Sequence, residues 1–247
     1  MSKIPKTPQE IFPEIIADYK KIFGADLVSI VLYGSGTGGD YLPGKSDINF
    51  LMILSQNAGP SLDRALETVK KWRQRLVAIP LFMTKPFILS SVDSYPIEFF
   101  NMQSNHTVVF GADILNDLVF DPGHLRLQLE RELKGKILHL QTGFLETDGK
   151  PKRIRQLIEV SFKAFLAFFK AMLFLKNKTI PEDRYQVIET TAKAFSIDAG
   201  IFLQCAALRE DSKPYSSEEI SKIFHLYLQE IHKLSDIIDR MMEDHEI

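Results

Sequence analysis

Residues 29–54 read SIVLYGSGTGGDYLPGKSDINFLMIL, and this stretch decides the fold. Leu27 to Tyr33 is a short apolar, β-branched run, the pattern of a buried strand. It stops at Gly34-Ser35-Gly36-Thr37-Gly38-Gly39, where small residues allow backbone turns that a side chain would forbid. Asp47 to Leu54 is a second apolar strand, entered through Asp-x-Asn. Side chains alternate along a strand, so Asp47 and Asn49 share one face while Ile48 and Phe50 take the other. Two oxygen-bearing side chains at the mouth of a sheet suit a hard cation, and magnesium favours carboxylate together with phosphate oxygens. Gly34 and Ser35 would let backbone N–H groups and a hydroxyl close on a phosphate.

The flanks extend this pattern. Thr7-Pro8-Gln9-Glu10 predicts a capped helix start, with Pro8 at the first helical position and Glu10 completing a capping box. That helix should bury Ile11, Ile15, Tyr19 and Ile22 and end before Gly24. Downstream, an amphipathic helix is expected from Ser61 to Val77, with strands at Leu81–Met83 and Ile97–Met102. Such alternation is α/β order. After Leu118 only helical spacing remains. Leu125 to Leu145 is one helix, broken by Asp148-Gly149-Lys150-Pro151. Ile154, Ile158, Phe162, Phe165, Phe169 and Met172 form one apolar stripe. Shorter helices follow at Pro181–Phe195 and Asp198–Arg209, and Ser216-Ser217-Glu218-Glu219 opens the last helix with a capping box. The reading is therefore an α/β (α+β) domain with a small mixed sheet over residues 1–118, and an all-α helical bundle over 119–247.

Composition narrows the function classes. The chain has 247 residues, 30 basic against 32 acidic side chains, and a single cysteine, Cys205. A net charge of −2 offers no basic stripe for nucleic acid or anionic lipid, so neither is an expected partner. One cysteine excludes an intrachain disulfide and a cysteine-rich zinc site. The greasiest stretch, Ala164 to Leu175, is shorter than the roughly 20 apolar residues of a spanning helix. With no secretory signal pattern at the N-terminus, the expected location is cytoplasmic.

The Gly34-Ser35 turn followed by Asp47-x-Asn49 resembles the signature of the DNA polymerase β-like nucleotidyltransferase superfamily, written Gly-Ser, a connection, then Asp-x-Asp or Asp-x-Glu. The two-domain layout is similar to that of the bacterial aminoglycoside nucleotidyltransferases. The resemblance implies a nucleoside triphosphate donor, with ATP the expected one, and transfer of a nucleoside monophosphate to an acceptor hydroxyl with Mg2+ in a cleft between the domains. Gly34 and Ser35 would seat the phosphates and Lys45 could touch one of them. Asp47 would be a catalytic metal ligand and Asn49 a neutral one. The family's third carboxylate comes from a later strand; Glu98 is the first candidate, as metal ligand and acceptor base, and Asp93 the second. The acceptor is a small molecule or a protein, and a homodimer is compatible with the layout. Asn49 stands where the family pattern has a carboxylate. It brings no charge to offset a second divalent ion. That motivates an alternative in which the protein is catalytically impaired and acts as a nucleotide-binding or protein-interaction module.

Overall fold

A computed structural model describes residues 4–38, 41–208 and 214–241. Gly39 of the glycine cluster and Arg209, the expected end of a helix, lie outside the described residues. The chain divides into two compact units, Met1–Phe120 and Asp121–Ile247.

The first unit is built on a four-stranded sheet of order β3-β2-β1-β4. The strands are β1 (Leu27–Tyr33), β2 (Asn49–Leu54), β3 (Leu81–Thr84) and β4 (His106–Gly111). β1 runs antiparallel to both β2 and β4, whereas β2 and β3 are parallel, so the sheet is mixed. Helix α1 (Phe12–Phe23) lays Ile15, Tyr19 and Phe23 on one face, against Ile30, Leu32, Phe50 and Met52. These strand positions alternate with Val31, Leu51 and Ile53, which are fully buried too. Burial on both faces is why β1 and β2 read as continuous apolar runs. α1 ends on Gly24 at φ +55°, a left-handed position suited to glycine. In α2 (Leu66–Arg73), Trp72 is fully buried and its indole N–H donates to Asp18 at 2.9 Å, which fastens α2 to α1.

Three local expectations are corrected. The run Ile97–Met102 is helical: after α3 (Lys85–Ser91), α4 spans Pro96–Ser104. Pro96 sits in its first turn, where a missing N–H costs nothing. The fourth strand is the next segment, whose β-branched Thr107-Val108-Val109 pairs with β1. The capping box at Thr7 is absent: the chain enters α1 through a 3-10 turn, Pro8–Ile11, and the Glu10 carboxylate accepts from the Lys6 N–H at 3.1 Å. The region expected as one helix, Ser61–Val77, is a 3-10 segment (Gln56–Ala65) followed by the shorter α2.

The second unit contains α5 (Pro122–Glu146), α6 (Pro151–Phe162), α7 (Phe165–Leu175), α8 (Arg184–Phe195), α9 (Ala199–Leu208) and α10 (Ser217–Arg240). The stripe from Ile154 to Met172 is buried throughout but split between α6 and α7. Phe165, Phe169, Phe202 and Tyr227 meet edge-to-face or tilted, with Phe165 and Tyr227 centroids 5.6 Å apart. The capping box at Ser216 and Glu219 is complete. Arg153 and Arg155, from the basic cluster that opens α6, pair with Asp148 at 3.1 Å and Glu159 at 2.7 Å. Among the described residues, no helix is long and apolar enough to cross a membrane.

Candidate functional site

The site begins where β1 stops. Gly34 has φ +77°, the left-handed region that an L side chain enters at a cost, and it turns the chain out of the sheet. Its N–H donates to the Asn105 carbonyl at 3.3 Å, while its own carbonyl accepts from the Thr37 hydroxyl at 2.8 Å. The 3-10 turn Gly34–Thr37 is thus tied at both ends. Ser35 is exposed on it, and Gly36 is buried where a Cβ would stand 3.2 Å from the Leu32 Cδ1.

The second half of the motif arrives by register. Tyr33 pairs with Asn49 on one side and His106 on the other, so the three lie in one row across the sheet. This brings Asn49 beside the turn: its Nδ2 is 3.6 Å from the point a Gly34 Cβ would occupy. Ile48 is fully buried, and its backbone is held extended by an N–H bond to the Leu76 carbonyl and a bond from the Ala78 N–H, both 3.0 Å. Asp47 and Asn49 therefore flank Ile48 on the opposite face, Asp47 exposed and Asn49 half-buried. Lys45 is exposed on a turn closed by bonds from the Lys45 and Ser46 N–H groups to the Leu42 carbonyl, at 3.0 and 2.8 Å. The fold thus collects Gly34, Ser35, Asp47 and Asn49 at one end of the β1–β2 pair.

Glu98 stands elsewhere in the secondary structure. It lies exposed in the first turn of α4 rather than on a strand. Seven residues of chain, about 10 Å of helix rise, separate it from Asn105, whose carbonyl touches the Gly34 turn. Asp93 occupies the turn before α4 and accepts from the Ser94 hydroxyl at 3.0 Å. The two later strands, β3 with LFMT and β4 with HTVVFG, carry no acidic residue. Among the described residues, no three His, Cys, Asp or Glu side chains gather as a metal-holding group.

His106 is held from both ring nitrogens, Nδ1 against the Gln103 carbonyl at 2.9 Å and Nε2 against the Asp113 carboxylate at 3.0 Å. Burial opposes ionisation of Asp113, but the His106 bond and the Asn116 and Leu115 N–H groups outweigh it and hold its carboxyl below the ordinary range. Gln103 fixes the following segment by donating to the carbonyls of Leu115, Asn116 and Leu118. Sequence reasoning missed Asn105, whose contribution is a main-chain carbonyl and leaves no side-chain signature. It also passed over Tyr33, the middle of the row, whose phenol pKa is raised by burial.

No family model matches the sequence, and no curated protein is similar to it in sequence. Among solved structures, spectinomycin adenyltransferase AAD(9) from Enterococcus faecialis, determined with ATP and spectinomycin, is similar at a TM-score of 0.55. The match covers 91% of this chain and 99% of that one at 12% identity. The chain has a nucleotidyltransferase fold. At that identity the likeness speaks for the mixed sheet and the helical unit behind it in sequence, while the motif residues rest on their own geometry.

Proposed function

We propose that the end of the sheet marked by Gly34, Ser35, Asp47 and Asn49 binds a nucleoside triphosphate, and that the protein transfers a nucleoside monophosphate from it to an acceptor hydroxyl. The observation that carries this reading is the meeting of the two motif halves, Asn49 against Gly34, with Asp47 two residues before Asn49 in the chain. ATP is the favoured donor because the structurally similar adenyltransferase was solved with it. That protein's second ligand, spectinomycin, favours a small hydroxyl compound as acceptor over a protein.

The donor set fits one magnesium ion. Magnesium is commonly held by one or two carboxylates together with substrate phosphates, and the Asp47 carboxylate supplies one. It does not fit the two-ion arrangement of the family pattern, because β3 and β4 offer no further carboxylate. When bound, the ion would offset phosphate charge and favour departure of pyrophosphate. The protein's own part is positioning. The Gly34–Thr37 turn seats the β- and γ-phosphates, Lys45 closes on them from its loop, and Asp47 orients the donor. The acceptor oxygen bonds to the α-phosphorus, the bridging P–O bond to the β-phosphate breaks, and pyrophosphate leaves with that electron pair. The acceptor's proton passes to solvent water.

Incubation with α-labelled ATP and magnesium, across a panel of hydroxyl compounds, tests the proposal. Labelled product and equimolar pyrophosphate, both lost in Asp47→Ala, are expected. Tight ATP binding with no transfer to any acceptor would instead favour a nucleotide-binding module.

A further inference from the structure

We infer that Asn49 serves this site as a hydrogen-bond donor to the polyphosphate rather than as a metal ligand, so that nucleotide binding here depends only weakly on a divalent ion. The inference rests on the nucleotide reading and deepens it. An asparagine side chain carries two N–H donors on its nitrogen, whereas an ionised aspartate carries none. The atom that faces Gly34 is that nitrogen. The Gly34 N–H is already spent on the Asn105 carbonyl, so the amide of Asn49 is a donor next to the turn that seats the phosphates. A carboxylate at this position would repel a phosphate oxygen unless a cation stood between them, while an amide attracts it directly.

The neighbouring strands agree. Leu81 and Met83 of β3 stand in register with Leu51 and Ile53 of β2, two and four residues on from Asn49 and therefore on its face. Leucine and methionine supply neither charge nor a hard oxygen ligand for a second ion. On β4 the residue in the Asn49–Tyr33 row is His106, whose Nε2 is turned to Asp113. Among the described residues that enter β2, Asp47 is the anionic side chain, enough for one ion brought by the nucleotide.

Calorimetric titration with α,β-methylene ATP, in magnesium and in EDTA, separates the alternatives. Wild type should bind in EDTA within about tenfold of its affinity in magnesium. Asn49→Asp should fall by about a hundredfold in EDTA, a far larger loss than it shows in magnesium, because the added charge then meets bare phosphate. Asn49→Ala, checked for folding by circular dichroism, should bind about tenfold more weakly than wild type in EDTA. Asn49→Asp or Asn49→Ala binding as tightly as wild type in EDTA would overturn the donor role while leaving the nucleotide site standing. Wild type binding in neither buffer would overturn the nucleotide site itself, and this inference with it.

Discussion

The side-chain nitrogen of Asn49 lies 3.6 Å from where a Cβ on Gly34 would stand, although fifteen residues separate them in the chain. The pairing of Tyr33 with Asn49 produces this meeting, since the turn begins one residue after the pair. Gly34→Ala adds that methyl group at φ +77°. It should cost about 1–2 kcal/mol of stability from backbone strain alone. The methyl would stand at ordinary van der Waals distance from the Asn49 amide, so nucleotide binding should weaken only through the strained turn. Urea unfolding and calorimetry on the same sample check both effects.

Asp47 offers the opposite profile. It is exposed and lies outside the buried alternation of β2. Asp47→Ala should therefore leave unfolding within about 0.5 kcal/mol of wild type, as surface changes usually do. Transfer activity should disappear. A large loss of stability would mean that the carboxylate holds the fold instead of a ligand.

Acid stability should carry the mark of the Asp113–His106 pair. Asp113 has its folded pKa held below the ordinary aspartate value of 3.8. A depressed carboxylate adds stability above its unfolded pKa, and that contribution drains away as pH falls through the folded pKa. Asp113→Asn should thus be less stable than wild type at pH 7, with the gap closing below about pH 3.8. Urea midpoints for the two proteins between pH 7 and pH 2.5 give the comparison.

Gly111 closes β4 at φ +82°, and a Cβ there would fall 2.0 Å from the Val28 carbonyl oxygen. The approach is fixed from the other side as well, because the Ser29 hydroxyl bonds to the carbonyls of Phe110 and Ala112 at 2.9 and 2.8 Å. Gly111→Ala should destabilise the protein by about 3 kcal/mol or more, combining strain with a backbone clash. Thermal unfolding of the variant should show this as a lower midpoint.

In the helical unit, Ser216 accepts from the Glu219 N–H at 3.2 Å, and the Glu219 carboxylate accepts from the Ser216 N–H at 2.9 Å. Ser216→Ala should cost about 1 kcal/mol through loss of the cap. Ser216→Asp, which keeps an acceptor there, should restore most of it. Denaturant titration of the three proteins decides.

How much could be read from the chain depended on how local the signal was. The Gly34 turn and the Asp47-x-Asn49 strand entry were legible because turn chemistry and strand alternation are written in adjacent residues. The mixed sheet was legible at the level of fold class, through apolar runs at β1, β2 and β3. Glu98 was misplaced on a strand because Ile97, Phe99 and Phe100 suit a buried strand and a buried helix equally. Pro96 at a first helical turn was the cue that separates the two. β4 was overlooked for a related reason: its short run follows α4 directly and ends at Gly111, whose positive φ shows only in three dimensions. The stripe from Ile154 to Met172 kept its helical period across the break between α6 and α7, so periodicity alone could not reveal the break. Asn105 at the site was invisible because a backbone carbonyl is common to every residue.

The central claim is that the Gly34 turn and Asp47 together receive a triphosphate with one ion. A crystal grown with α,β-methylene ATP and manganese, with anomalous data collected, tests it most directly. Phosphate density against Gly34 and Ser35, the Asn49 amide within hydrogen-bonding distance of a phosphate oxygen, and one anomalous peak beside Asp47 are expected. Nucleotide bound away from the turn, or two manganese peaks of equal height with Asn49 ligating one of them, would contradict it.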